Sequence, residues 1–224
     1  MRHILFILCL MAAVVPGGAA AHEHWFVLDD FYPEEGDTTD FSICTGHRFP
    51  SSSMALKDNV IDLSYRIRPG YGMTEPLESV IKEKSREGVF IPQGPGVHIM
   101  VFVLKRPKAE EPSFEAKAIA VVGNGRDDHE SYIIGRGLEI VLPVPVSGLK
   151  KGDEVEVSMI LDGKPVEGEI VFTASSGKSI YRRAGIGDPA IVPVVDSGIC
   201  MICGSYGGRE CSLVFSVREV EGKE

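Results

Sequence analysis

Glycine and proline interrupt this chain at short intervals. Between the interruptions, apolar residues mostly alternate with polar ones instead of recurring at helical spacing. With 25 Gly and 14 Pro in 224 residues, few stretches can carry a stable helix, and the pattern predicts short strands joined by turns. Residues 25–28, 38–44, 60–67, 89–91, 97–104, 114–122, 154–161, 166–173, 191–195, 199–203 and 212–217 read as strands. Asp162-Gly163-Lys164-Pro165 reads as a hairpin turn. Residues 77–86 fit a short helix or a polar edge strand, and residues 138–146, which contain Pro143 and Pro145, fit an edge strand or a connection between domains. The fold class is therefore all-β, built as an antiparallel sandwich.

Residues 1–21 have the layout of an export signal: basic Arg2 and His3, an apolar run from Ile4 to Val15, a Pro16-Gly17-Gly18 break and the small residues Ala19-Ala20-Ala21. The apolar run is shorter than the roughly 20 residues a membrane helix needs, so removal is expected and no span remains. Cleavage after Ala21 makes His22 the first residue, followed by Glu23, His24 and Trp25. A terminal amine and an imidazole on one residue form a bidentate chelate, and a metal ion displaces their protons near neutral pH. If residues 25–28 and 38–44 form a hairpin turning near Glu35, facing residue numbers sum to about 70. His24 then lies opposite Gly46, and His47 comes beside His22 and His24. These three histidines form the candidate metal site. His98 shares strand parity with Met100 and Phe102 and reads as a core histidine, while His129, beside Asp127 and Asp128, is a weaker ligand candidate.

The formal net charge is -9, which disfavours nucleic acid and anionic membrane surfaces as partners. Beyond the leader, the cysteines are Cys44, Cys200, Cys203 and Cys211. An even count in an oxidising compartment predicts one or two disulfides among three possible pairings. Cys203 and Cys211 flank a glycine-rich turn and are expected to bridge, with Cys44–Cys200 as the second bond. The Cys200-x-x-Cys203 spacing falls within a predicted strand, not at the helix N-terminus a low-pKa redox dithiol uses. No nucleophile elbow, phosphate-binding loop or HExxH motif is present, so binding is expected over turnover, with no catalytic residues.

The AHEHW start, the PEEGD turn, CTGHRFP and the later GLEIVLPVPVSGLKKGDEVEVSMILDGKPVEGEIVF resemble an exported bacterial domain-of-unknown-function family described as the periplasmic component of cobalt/nickel uptake. The resemblance implies an N-terminal β-sandwich (residues 22–146) followed by a small immunoglobulin- or transthyretin-like β domain (residues 147–224). It also implies a periplasmic accessory protein that binds Ni²⁺ or Co²⁺ through His22, His24 and His47 for a membrane metal-uptake complex. Cu²⁺ outcompetes both ions at most nitrogen sites, so the divalent metal stays open among the three. Two further readings are a structural or adhesive module, and a copper-dependent oxidase with an N-terminal His site. The GICMICGSYGGREC segment near the end departs from the family pattern. The intact mass of the exported protein should match a chain beginning at His22; a start at Ala20 or Ala21 would remove the amine–imidazole chelate.

Overall fold

A computed structural model describes residues 23–70, 73–105 and 112–219; the expected leader and His22 lie outside them. The strands, in chain order, are β1 (Glu23–Leu28), β2 (Thr39–Gly46), β3 (Ile61–Arg68), β4 (Met73–Pro76), β5 (Val80–Ile81), β6 (Arg86–Phe90), β7 (Gly96–Lys105) and β8 (Pro112–Val122). They continue as β9 (Leu138–Val141), β10 (Glu154–Leu161), β11 (Lys164–Val166), β12 (Gly168–Ala174), β13 (Ser179–Ala184), β14 (Ala190–Pro193), β15 (Gly198–Tyr206) and β16 (Arg209–Val217). The helical segments among the described residues are three 3-10 turns of three or four residues. The protein is all-β.

An eight-stranded sheet in the order β13-β12-β15-β16-β8-β7-β3-β4 forms the middle layer. Strands from both sides of residue 146 share it, because β16 pairs in parallel with β8 from Glu210↔Phe114 to Val214↔Ala118. One face packs against the four-stranded sheet β1-β2-β6-β5, and the other packs against β9, β10, β11 and β14. β7 explains how one sheet serves both. Its run Val97-His98-Ile99-Met100-Val101-Phe102-Val103-Leu104 is buried throughout, as expected for a strand covered on both faces. Val97, Ile99, Val101 and Val103 enter one core; Met100, Phe102 and Leu104 enter the other. On β8, Ala116, Ala118 and Ala120 are the small residues that leave room for Phe26, Phe41 and Phe102. Phe26 and Phe102 meet edge-to-face with ring centroids 5.0 Å apart, the arrangement aromatic quadrupoles favour.

Two local differences from the sequence expectation have clear causes. The turn at Asp162 and Gly163 has positive φ at both residues, +50° and +75°, as a two-residue hairpin requires. The returning strand nevertheless lasts only from Lys164 to Val166; after Glu167 the chain crosses to the middle sheet. Gly168 permits the crossing, since a Cβ there would lie 2.5 Å from the Ser205 carbonyl oxygen. β13, with Arg182 and Arg183 exposed on a sheet edge, carries too little apolar patterning to be read as a strand. Residues 77–86 take the edge-strand alternative through β5.

Among the described residues, the core facing β9 holds an ion pair. Lys117 Nζ lies 2.9 Å from Glu139 Oε2, with the side chains 5% and 3% exposed. Lys117 also donates to the Tyr132 carbonyl at 2.8 Å, and Glu139 accepts the Ile134 and Gly135 backbone N–H groups at 3.0 and 2.7 Å. A buried pair holds when its remaining hydrogen-bonding capacity is met, and losing one partner strands the other. Glu139→Ala should therefore lower unfolding free energy by about 3–5 kcal/mol in urea titrations. Lys117→Met combined with Glu139→Gln should be markedly less destabilised, because no bare charge is left.

Candidate metal centre at the open end of the first hairpin

β1 and β2 form the expected antiparallel hairpin, with Glu23↔Gly46, His24↔Thr45, Phe26↔Ile43 and Leu28↔Phe41 as partners. Facing numbers thus differ by one from the sequence expectation, and Thr45 rather than Gly46 stands across from His24. This shift gives His24 a hydroxyl neighbour on its own side of the hairpin. Thr45 Oγ1 lies 2.7 Å from His24 Nδ1 and donates to the Glu23 carbonyl at 3.2 Å. The ring packs edge-on against Phe114 with centroids 4.8 Å apart, and the His24 carbonyl accepts from Ser212 Oγ at 2.7 Å. The middle sheet therefore anchors this residue from β8 and β16 at once.

Gly46 ends β2 with φ +151°, and a Cβ there would meet Ser53 Oγ at 2.3 Å. The following loop folds back over the hairpin. Trp25 Nε1 donates to the Pro50 carbonyl at 3.2 Å, and the Trp25 and Phe49 rings meet at 5.7 Å. Ser52 Oγ donates to the Lys84 carbonyl at 2.6 Å and accepts from Thr45 N–H at 3.0 Å. His47, exposed at the head of this loop, borders an open cavity of about 400 Å³ together with Glu23, Arg48, Thr173, Ser179 and Tyr181. Glu23 also borders a neighbouring cavity of about 310 Å³ with Cys203 and Glu210. Burial raises the Glu23 carboxyl pKa and the Glu210 charge adds to it, while His47 acts in the opposite direction.

Of the three candidate ligands, His24 and His47 thus sit at the open end of one hairpin, and His22 lies outside the described residues. Among the described residues, no group of three or more His, Cys, Asp or Glu side chains is arranged to hold a metal ion. The residues that sequence reasoning passed over are Glu23, Thr45 and Arg48; Glu23 was legible as the middle of His-Glu-His. A larger cavity, about 950 Å³ beside the four-stranded sheet, is bordered by Asp29, Asp40 and Glu87, and no histidine or cysteine lines it.

The expected disulfides are not formed: Cys44, Cys200, Cys203 and Cys211 are all free. Cys203 pairs across the sheet with Ser212, and Cys211 with Gly204, so their side chains leave opposite faces and belong to different cores. Cys44 and Cys200 are likewise divided between the two cores. The Cys200-x-x-Cys203 spacing has the same consequence, since residues three apart on a strand point opposite ways. Burial pushes the thiols of Cys44, Cys200 and Cys211 up to about 12 and that of Cys203 well above its ordinary value. Thiols so held are protonated and inert at neutral pH.

Residues 19–190 match the family described as a domain of unknown function, DUF4198, and the chain belongs to it. No curated protein matches. Among solved structures, the chain is similar to the Escherichia coli adhesin FdeC at 12% identity and a TM-score of 0.30, covering 88% of this chain and 64% of that one. A segment of two fibronectin type-III domains from chicken tenascin gives 13% identity and a TM-score of 0.27, covering 86% and 97%. Salmonella alpha-2-macroglobulin gives 9% and 0.31, covering 87% and 15%.

His98 is the core residue its strand parity predicted. It is fully buried, its Nε2 lies 3.0 Å from the Gly94 carbonyl, and its Nδ1 lies 3.2 Å from Arg66 Nη1. Burial, helped by the Arg66 and Arg68 charges and opposed by the Gly94 carbonyl and Glu75, lowers its pKa to about 4. The unfolded chain, with an ordinary histidine near 6.5, binds this proton first. The stabilisation from a neutral His98 is therefore present above about pH 6.5 and is lost as pH falls toward 4. Urea unfolding at stepped pH should show a loss of about 3 kcal/mol across that window, and His98→Gln should flatten it.

Proposed function

We propose that this protein is an exported, periplasmic accessory protein that binds a divalent transition metal of the Ni/Co type and passes it to a membrane uptake complex. Cu²⁺ is the competitor the nitrogen ligands would also accept. The metal is cargo, and no catalytic step is assigned. The ligands proposed are His22, through its imidazole and its terminal amine, with His24 and His47.

The observation that carries this reading is the register of the first hairpin. Its last described pair is Glu23↔Gly46, so His24 and His47 flank the end of the ladder, and position 22 precedes it by one residue in the chain. The support for His24 fits the same use. A ligating imidazole commonly has its other ring nitrogen fixed by a hydrogen bond, and Thr45 Oγ1 occupies that position at Nδ1. Among the described residues, no helix is long and apolar enough to cross a membrane, so the uptake complex is proposed as a separate partner.

Calorimetry at pH 7.5 tests the reading directly. His22→Ala, His47→Ala and acetylation of the terminus should each weaken Ni²⁺ or Cu²⁺ binding at least tenfold, while His129→Ala should leave it unchanged. Binding should also weaken on acidification, because protons compete for imidazole and amine nitrogens. If His22→Ala, His24→Ala and His47→Ala all bind like the wild type, the histidines are incidental and the structural-module reading replaces this one.

A further inference from the structure

The middle sheet lies open beyond the first hairpin. Along β12, Glu169, Val171 and Thr173 leave one side of the sheet, paired with Arg183, Tyr181 and Ser179 of β13. Glu169, Arg183 and Tyr181 are exposed, Tyr181 at 73%. Three cavities lie end to end along this stretch. The one beside His47, about 400 Å³, is bordered by Thr173, Ser179 and Tyr181. The next, about 310 Å³, takes in Val171 and Glu169 and shares Tyr181 and Glu23 with the first. The third, about 450 Å³, takes in Glu167 and Arg183 and shares Glu169, Ser205 and Glu210 with the second. The order of residues on β12 and β13 follows the order of the cavities, so the three form one open trench. From Thr173 to Glu167, at about 3.3 Å per residue, it runs about 20 Å.

The charges along the trench nearly cancel. Glu23, Glu167, Glu169 and Glu210 border it together with Arg48, Arg183 and Arg209, and Glu167 and Arg183 pair at 3.5 Å near its far end. Such a border favours neither a polyanion nor a polycation. Hydroxyls stand between the charges: those of Thr173 and Ser179 are hydrogen-bonded at 3.1 Å, and Ser205 lies further along. β12 is already paired on both edges, to β13 and to β15. An extended peptide laid over it would find its own N–H and C=O groups without a ladder to join. A chain of neutral sugar rings has different needs. Its hydroxyls both donate and accept, and carboxylate, guanidinium and hydroxyl side chains meet both roles. Its C–H faces need a flat apolar partner, and Tyr181, at the junction of the first two cavities, offers an exposed ring with a polar tip. We propose that the trench along β12 binds a linear, uncharged oligosaccharide seated on Tyr181. This goes beyond the metal-binding reading and depends on none of the histidines.

Two-dimensional amide NMR of the isotope-labelled exported protein, titrated with cellotetraose, maltotetraose and chitotetraose, provides the test. EDTA is kept present so that no metal contributes. At least one sugar should shift amides of residues 167–173, 179–183 and 203–210 in a saturable way. Tyr181→Ala should weaken that binding at least about tenfold, and its exposed position should leave the rest of the spectrum unchanged. Tyr181→Phe, which keeps the ring, should retain most of the affinity. Ile191→Ala, exposed on β14 and outside the trench, should bind like the wild type. Saturable shifts with none of the three sugars, shifts confined to other residues, or a Tyr181→Ala protein that binds no more weakly than Ile191→Ala overturns the proposal. A capped Gly-Ser-Gly-Ser-Gly-Ser peptide that shifts the trench amides where the sugars do not also overturns it, in favour of a polypeptide ligand. Each of these outcomes leaves the metal reading to its own calorimetric test.

Discussion

The middle sheet is buried on both faces, and this constraint governs the rest of the molecule. Each strand in it must supply two different surfaces by alternation alone, because neighbouring side chains leave a strand on opposite sides. β8 shows how tight the demand is. Phe114, Ala116, Ala118 and Ala120 enter the core shared with the first hairpin, while Ile119 and Val121 enter the other core and Lys117 meets Glu139. A slip of one residue would exchange these sets. Alanines would then face the wide gap filled by β9 and β10, and the lysine would face Phe26 and Phe41. Register in the middle sheet is therefore fixed from both sides, and it in turn fixes where Phe114 and Ser212 meet His24.

The start of β1 inherits this rigidity. An N-terminal segment normally frays unless its backbone is tied down. Here the His24 carbonyl is bound by Ser212, its ring lies on Phe114, and its Nδ1 meets Thr45. On the other side of the hairpin, the loop after Gly46 closes over Trp25 through Phe49 and Pro50. Both layers thus hold the hairpin where metal ligands are proposed, and little ordering entropy is left to be lost when a ligand arrives. A ligand site on strands buttressed in this way keeps its geometry better than one on a free tail.

The strands with clean alternation were legible in the sequence, β10 to the residue, because a half-buried strand writes its burial into a period of two. The hairpin at β1 was legible as a hairpin but not in register. Trp25, Phe26, Val27 and Leu28 are all apolar, so either parity could face the core. Pairing Trp25 and Val27 inward against Phe41 and Ile43 gives an even sum; pairing Phe26 and Leu28 inward gives the odd sum observed. The choice is made by Phe49 and Pro50, which cover Trp25 from outside, and a loop that returns from 24 residues downstream leaves no local signal. The cysteines were misread for a related reason. A turn between Cys203 and Cys211 suggested facing positions, whereas the observed register sets Cys203 against Ser212 and sends the two thiols into separate cores.

The same alternation sorts the donors of the His-Glu-His segment. On a strand, the imidazole of His24 and the carboxylate of Glu23 leave opposite sides, so the tripeptide does not close on one ion by itself. The hairpin resolves this by supplying a partner to each side. Thr45 meets His24 within the hairpin, while the chain after Gly46 turns so that His47 borders the cavity that Glu23 also borders. Gly46 is the residue on which this depends. Its φ of +151° and the 2.3 Å separation between a would-be Cβ and Ser53 Oγ leave no room for a side chain at the point where β2 stops. The cavity beside His47 thus follows from one backbone position, and its mixed lining of guanidinium, carboxylate and hydroxyl follows from β12 and β13 reaching it across the middle sheet.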